Sequence, residues 1–134
     1  MLRKMLVCCG VLTLGLSLHA FAATIYICPT APTDFRAGLK NSWSWEMQGT
    51  NPKECVITGI TNPQQVPDQF SAATLRYLKS GLYELDCNYT MLDGTTVEIP
   101  TSNCIGNLSN TCVFSSEGTT CSGKTPKDCT VTCG

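Results

Sequence analysis

Histidine is almost absent from this chain of 134 residues. Its one copy, His19, lies in the first 22 residues. Those residues are predicted below to be removed. A chain without histidine has no Ser-His-Asp or Cys-His catalytic set and no imidazole ligand for a metal. Charged residues are also few, at 14%. Without the first 22 residues, seven Lys and Arg face ten Asp and Glu, a net charge near −3. A mildly acidic chain binds polyanions poorly, so we expect no nucleic-acid partner.

The N-terminus has the pattern of an export signal. Two of its first four residues are basic, residues 5–18 form an apolar run, and residues 20–22 read Ala-Phe-Ala, a small-x-small cleavage pattern. A helix that crosses a bilayer needs about 20 apolar residues, which is longer than this run. We therefore predict a signal peptide at residues 1–22. The mature chain, residues 23–134, is expected in the periplasm or outside the cell, with no membrane span.

Eight cysteines remain after the predicted cleavage, and an even number in an exported chain predicts a disulfide framework. The mature chain has no Cys-x-x-Cys pair, so we expect neither a zinc site nor a redox centre, and no cofactor. The sequence leaves the pairing of the four predicted disulfides open. Three cysteines precede residue 100 and five follow it, so at least one bridge must join the two parts. The eight are Cys28, Cys55, Cys87, Cys104, Cys112, Cys121, Cys129 and Cys133.

Alternating apolar and polar residues predict a mainly β chain. In residues 42–48, Trp43, Trp45 and Met47 fall on one face of a strand. A stripe of this kind is typical of a core. The alternative is that Trp43 and Trp45 form a platform on which a sugar stacks, and they are the candidate binding residues of the chain.

The remaining part before residue 82 gives weaker patterns. The segment from Ser71 to Leu78 fits either a strand or two helical turns, and we favour the strand because a Lys-Ser-Gly break leads from it directly into another strand. Shorter strands are predicted at residues 24–28 and 54–60, and loops at residues 28–40 and 61–69.

Residues 82–99 carry the clearest hairpin pattern. If Leu-Asp-Gly at 92–94 forms a three-residue loop, Tyr89 pairs with Val97 and Cys87 with Ile99, and both faces of the hairpin stay consistent. This register predicts that Cys87 points into the core and forms its disulfide there.

Three carboxylates occupy the other face of this hairpin, namely Glu84, Asp86 and Glu98. We expect a solvated sheet face here. The alternative is an acid–base pair of a hydrolase, because two carboxylates perform this chemistry in glycosidases. Since the former interpretation is favoured, we predict no catalytic residue and no enzymatic activity.

Residues 101–134 form a polar, Cys-rich tail in which 24 of 34 residues are Ser, Thr, Asn, Gly or Cys. Such a segment has too little apolar surface to order itself by burial, so we expect disulfides to order it and to tie it to the body. The stretch from Gly118 to Thr125 matches the phosphate-loop pattern GxxxxGK[ST]. Since Pro126 follows at once and the chain ends nine residues after Thr125, we do not expect nucleotide binding.

The chain resembles a family of small exported β-rich proteins of Gram-negative bacteria, whose function is unknown. The resemblance rests on Cys28-Pro29, on Trp43-x-Trp45 and on Cys87-x-Tyr89 ahead of a glycine turn and a strand, and it covers residues 24–99. It implies a periplasmic or secreted location and a sandwich-like sheet. It implies no catalytic residue, and the Cys-rich tail departs from the family pattern.

Together these observations predict one small antiparallel β domain, sandwich-like, with a disulfide-rich C-terminal segment. We expect a secreted or periplasmic binding protein, such as an inhibitor, an adhesion factor or a host-directed effector. The alternatives are a carbohydrate-binding module and a structural component of an envelope complex. The partner, a protein or a glycan, and the oligomeric state stay open at this point.

Overall fold

The structure is a computed structural model that describes residues 22–37, 43–49, 53–57, 66–123 and 125–134. The predicted signal peptide, apart from Ala22, and the predicted strand residues 58–60 lie outside these ranges. Within them, no helix has both the length and the apolar character needed to cross a bilayer.

The described residues form ten strands, one short helix and one 3₁₀ turn. The strands are β1 (Thr24–Ile27), β2 (Arg36–Ala37), β3 (Trp43–Gly49), β4 (Lys53–Ile57), β5 (Pro67–Tyr77), β6 (Tyr83–Met91), β7 (Thr96–Pro100), β8 (Cys112–Phe114), β9 (Thr120–Ser122) and β10 (Val131–Cys133). Helix α1 spans Ser102–Ile105, and the 3₁₀ turn spans Pro126–Asp128.

Two antiparallel sheets pack around one core, which confirms the predicted fold class. Sheet 1 has the strand order β2-β3-β1-β10-β8, and β4 pairs with the other side of β3. Sheet 2 has the order β7-β6-β5-β9. Buried side chains of both sheets, among them Met47 of sheet 1 and Leu85 of sheet 2, form a single cluster.

The β6–β7 hairpin has the predicted register. Tyr89 lies opposite Val97, Cys87 lies opposite Ile99, and Gly94 has a φ of +86° in the loop. Cys87 is buried, as the alternation predicted. The short loop and the period-two pattern act on neighbouring residues, so this part of the fold is encoded locally.

The other strand predictions are confirmed with changed ends, whereas the loop predicted at residues 28–40 is wrong for 36–37, which form β2 against β3. Strand β3 buries Trp45 and Met47, and the ambiguous segment from Ser71 to Leu78 belongs to β5 up to Tyr77. The loop predicted at residues 61–69 is wrong for 67–69, because β5 begins at Pro67. Proline is tolerated at the first residue of a strand, where its missing N–H is not needed.

The tail is ordered by strand pairing as well as by disulfides. Strand β10 lies between β1 and β8 in sheet 1, and β9 pairs with β5 at the edge of sheet 2. The composition of the tail predicts disulfides as the source of this order. Backbone hydrogen bonds to two body strands supply order that does not depend on apolar side chains.

The four predicted disulfides are present, and one of them joins body and tail. Two of the four link a strand of sheet 2 to a residue just outside a strand of sheet 1. A third links β4 of sheet 1 to α1, the helix that follows β7. The pairs are Cys28–Cys87, Cys55–Cys104, Cys112–Cys133 and Cys121–Cys129. The Cys112–Cys133 pair instead crosslinks two adjacent strands of sheet 1.

Two of the sequence motifs, Cys28-Pro29 and Cys87-x-Tyr89, meet in the core. Cys28 is bonded to Cys87, and the buried Tyr89 hydroxyl donates a hydrogen bond of 2.6 Å to the carbonyl oxygen of Pro29. The Tyr89 ring also contacts Phe35 edge-on, with 5.1 Å between ring centroids. The Cys-Pro and Cys-x-Tyr motifs therefore form one covalent and hydrogen-bonded joint between the sheets.

Replacement of Gly49 by alanine should destabilise the fold. Gly49 has a φ of +130°, and an added Cβ would lie 2.0 Å from the carbonyl oxygen of Ile25 on the paired strand. Backbone must move to relieve this contact, so we expect Gly49→Ala to lower the free energy of unfolding by at least about 3 kcal/mol in urea titrations. The control is Gly94→Ala, which meets nothing within 4 Å and should cost about 1–2 kcal/mol. Equal losses of stability in the two variants would contradict the close approach of β1 to β3 at Gly49.

Removal of the Cys28–Cys87 bridge should cost more stability than removal of the Cys121–Cys129 bridge. Both pairs are buried, but they are separated by 59 and 8 residues in the chain, respectively. Since a disulfide restricts the unfolded chain more when it closes a longer loop, double Cys→Ala variants should lose about 4 and about 2.5 kcal/mol, respectively. Urea unfolding of the oxidised proteins measures both losses, and a reversed order would refute the assigned pairing.

Candidate functional site

A cleft opens where one edge of sheet 1 faces one edge of sheet 2, and we call it the β4–β7 cleft. Trp45 of β3 and Val56 of β4 line it from sheet 1, and residues 97–100 of β7 line it from sheet 2. Asn103 and Cys104 of α1 complete the lining. Its volume is about 350 Å³. This volume is at the low end of the range of about 300–1,000 Å³ that is typical of ligand sites.

The cleft has a covalently fixed end. Cys104 in its lining is bonded to Cys55, which neighbours Val56 on β4. The bridge holds α1, and with it Asn103, against the edge of sheet 1. A ligand would therefore meet preformed walls, which lowers the ordering cost of binding.

The two candidate tryptophans have different surroundings. Trp45 is only 4% exposed, packs at 5.8 Å between ring centroids from Phe35, and lines the cleft. Its Nε1 is buried and has no hydrogen-bond partner among the described residues. Trp43 is half-buried and packs against the core. The pair thus belongs mainly to the core, and Trp45 offers no open ring face on which a sugar could stack.

The carboxylates of β6 are buried, so the prediction of a solvated face is wrong for Glu84 and Asp86. Their exposed fractions are 7% and 2%. Arg76 on β5 forms ion pairs with both, and Ser102 of α1 donates a hydrogen bond to Glu84. Arg76 lies directly opposite Glu84 in the β5–β6 register. The Lys-Ser-Gly break between these strands was a signal from which this pairing could have been predicted.

The two carboxylates differ in their proton affinity. Hydrogen bonds from Ser102 and Arg76 hold the pKa of Glu84 below its ordinary value. Burial raises the pKa of Asp86 to about 6, because the Arg76 guanidinium offsets only part of the lost hydration. The Asp86 Oδ1 atom has no hydrogen-bond partner among the described residues. Both carboxylates are thus engaged with Arg76, and neither lines the β4–β7 cleft, whereas Glu98 does.

The phosphate-loop pattern does not have the geometry of a phosphate loop. Strand β9, Thr120–Ser122, runs through the middle of the pattern, and Thr125 precedes a 3₁₀ turn of three residues rather than a long helix. Asp128 accepts hydrogen bonds from the backbone and the hydroxyl of Thr125. The neighbouring cleft is lined by Glu117 and Asp128, two carboxylates that repel phosphate. Lys124 lies outside the described residues.

No family model, no curated protein and no solved structure matches this chain. Within the described ranges, no three His, Cys, Asp or Glu side chains group in a way that could hold a metal ion.

Replacement of Asp86 by asparagine should stabilise the protein near neutral pH. The folded-state pKa of about 6 exceeds the ordinary value of 3.8, so the folded protein holds the Asp86 proton more tightly than the unfolded chain. This contribution to stability is present at low pH and is lost as the pH rises from about 4 to 6. Asp86→Asn removes this pH dependence. The free energy of unfolding of the variant, relative to that of the parent protein, should therefore rise by about 1–3 kcal/mol between pH 4 and pH 7, as measured by urea unfolding.

The control for this change is Asp93→Asn. Hydrogen bonds from Thr95 lower the pKa of Asp93, so this exposed carboxylate stabilises the fold above its ordinary pKa, and its loss should act in the opposite direction. Parallel pH profiles for the parent protein and Asp86→Asn would show that Asp86 titrates normally in the folded state.

Proposed function

We propose that this chain is an exported, disulfide-stabilised binding protein of the periplasm or the extracellular medium, and that it binds its partner in the β4–β7 cleft. The observation that carries the proposal is the cleft itself, which lies between two sheet edges and is fixed at one end by Cys55–Cys104. Its lining combines apolar walls with Glu98 and Asn103. Such a combination, apolar with a few polar groups, is typical of binding sites.

Export is supported by two independent features. Four disulfides persist in oxidising compartments and are rare in the cytosol. The N-terminal 22 residues have the sequence of a signal peptide. A rigid, crosslinked scaffold suits a protein that must keep a binding surface intact outside the cell.

Binding is favoured over hydrolysis by the arrangement of the carboxylates. A glycosidase needs two carboxylates that flank the bond to be cut. Glu84 and Asp86 hold Arg76, and the cleft lining contains one carboxylate, Glu98. A protein partner is favoured over a glycan because Trp45 is only 4% exposed and therefore offers too little ring surface for a sugar to stack on.

Affinity capture with matched surface variants tests the proposal. Val56 in the cleft lining and Val113 on β8, an edge strand of sheet 1, are exposed to 60% and 62%, so Val56→Lys and Val113→Lys change similar surfaces in different places. We expect a protein from envelope extracts or culture fluid to be retained by the immobilised parent protein and by Val113→Lys. Immobilised Val56→Lys should retain at least tenfold less of that protein, because a lysine introduces an unpaired charge into an apolar contact.

Two results would count against the proposal. Retention of the same proteins by all three baits would mean that the cleft is not the binding site. Binding of the parent protein to a glycan array, lost in Val56→Lys, would replace the protein partner by a carbohydrate.

A further inference from the structure

The β4–β7 cleft runs along the edge of a strand rather than across its face. Successive side chains of a strand point to opposite faces of the sheet, so one face presents every second residue. The cleft is lined by four consecutive residues, 97–100. A cavity that contacts all four must follow the backbone edge of β7, and in the described part of the chain β7 pairs only with β6.

The hydrogen-bond pattern shows which backbone groups of β7 point away from β6. Met91 N donates to Thr95 O over 2.7 Å at one end of the hairpin, and Thr101 N donates to Leu85 O over 2.9 Å at the other. Bonded and non-bonded positions alternate in an antiparallel pair, so residues 97 and 99 also bond to β6. Residues 96, 98 and 100 therefore turn their backbone groups outward. Thr96 and Glu98 each offer an N–H and a C=O, and Pro100 offers a C=O alone.

The side chains beside this edge differ between the two faces of sheet 2. Val97 and Ile99 lie on the face that packs toward the core, where Trp45 also lines the cleft. Glu98 lies on the outer face, opposite Asn88 in the register. That face carries three carboxylates, Glu84, Asp86 and Glu98, against one guanidinium, that of Arg76, which is already ion-paired. A segment beside β7 would meet apolar surface on one face and excess negative charge on the other.

We propose that the β4–β7 cleft binds an extended segment of a partner protein, which adds to sheet 2 as a strand beside β7. Its alternate residues are apolar toward Trp45 and cationic toward Glu98. This inference rests on the proposed function and specifies the partner's chemistry. In strand addition, backbone hydrogen bonds give affinity while alternate side chains give specificity. Pro100, which lacks an N–H, limits the pairing to a short segment.

Synthetic peptides test strand addition on the intact, oxidised protein. The first is a seven-residue peptide, capped at both ends, that alternates valine and lysine. The second alternates valine and glutamate. The third repeats the first but carries N-methyl groups on alternate amides, in two versions that block one edge or the other. Titration calorimetry should show binding of the lysine peptide, at least tenfold weaker binding of the glutamate peptide, and loss of binding in one N-methylated version only.

Two variants of Glu98 separate its charge from its backbone. Glu98→Gln removes the carboxylate and keeps the backbone N–H, and we expect it to lower the affinity for the lysine peptide about three- to tenfold. Glu98→Pro also removes the N–H, which points away from β6, so it should weaken binding at least a further tenfold while the hairpin bonds remain. Near-ultraviolet circular dichroism checks that each variant is folded, and the N-methylated peptides test the same bond without any change to the protein.

The outcomes distinguish this inference from the proposed function. If Val56→Lys abolishes capture of a partner but neither N-methylated peptide loses affinity, the cleft binds its partner without strand addition and the inference fails alone. Equal binding of the lysine and glutamate peptides would refute the assigned charge preference. Concentration-dependent dimerisation that Glu98→Pro abolishes would show that a second copy of the chain occupies the edge of β7, which also overturns the inference.

Discussion

The joint between Cys28 and Cys87 is the constraint on which the rest of the structure depends. Cys28 directly follows β1 of sheet 1, and Cys87 lies in the middle of β6 in sheet 2, so one bond fixes the two sheets to each other. The hydrogen bond from Tyr89 to Pro29 acts two residues further along β6 and one residue further along the segment after β1. A chain with so few charged residues and a modest core gains much of its stability from restricting the unfolded state in this way.

The second sheet combines a conventional inner face with an unusual outer face. Leu85 and Cys87 contribute to the core, whereas the residues between and beside them, Glu84 and Asp86, are buried under Arg76 and α1. Burial of a carboxylate costs free energy unless it is fully paired, and Asp86 is not. The raised pKa of Asp86 therefore costs stability near neutral pH, whereas Glu84, whose pKa is lowered, holds α1 against β6 through Ser102. Since α1 also carries Asn103 and Cys104, the same contacts position one end of the β4–β7 cleft.

The cleft follows from two sheet edges that no further strand covers within the described ranges of the chain. Strands β4 and β7 end their sheets on the same side of the sandwich, and Cys55–Cys104 sets the spacing between β4 and the helix after β7. Exposed edges invite pairing with other chains, and proteins blunt them with proline and charge. Pro100 and Glu98 are residues of this kind, yet the register leaves Thr96 and Glu98 with outward backbone groups. This combination suits pairing that is short and selective for charge.

Local patterns of the sequence determined the strands at 43–47 and 71–77 and the register of the β6–β7 hairpin, because period-two alternation and a glycine turn act over short distances. The even number of cysteines indicated four disulfides, because that count needs no geometry. Only the tertiary structure decided which cysteines bond, that β9 and β10 of the tail join different sheets, and that Glu84 and Asp86 are buried. Each of these depends on contacts between residues far apart in the chain, such as Ser102 with Glu84, which lie 18 residues apart. Of the cleft lining, the sequence singled out Trp45 and Glu98 as candidates, but it did not bring them together. They meet Val56 and Asn103 only where edges of two separate sheets approach each other.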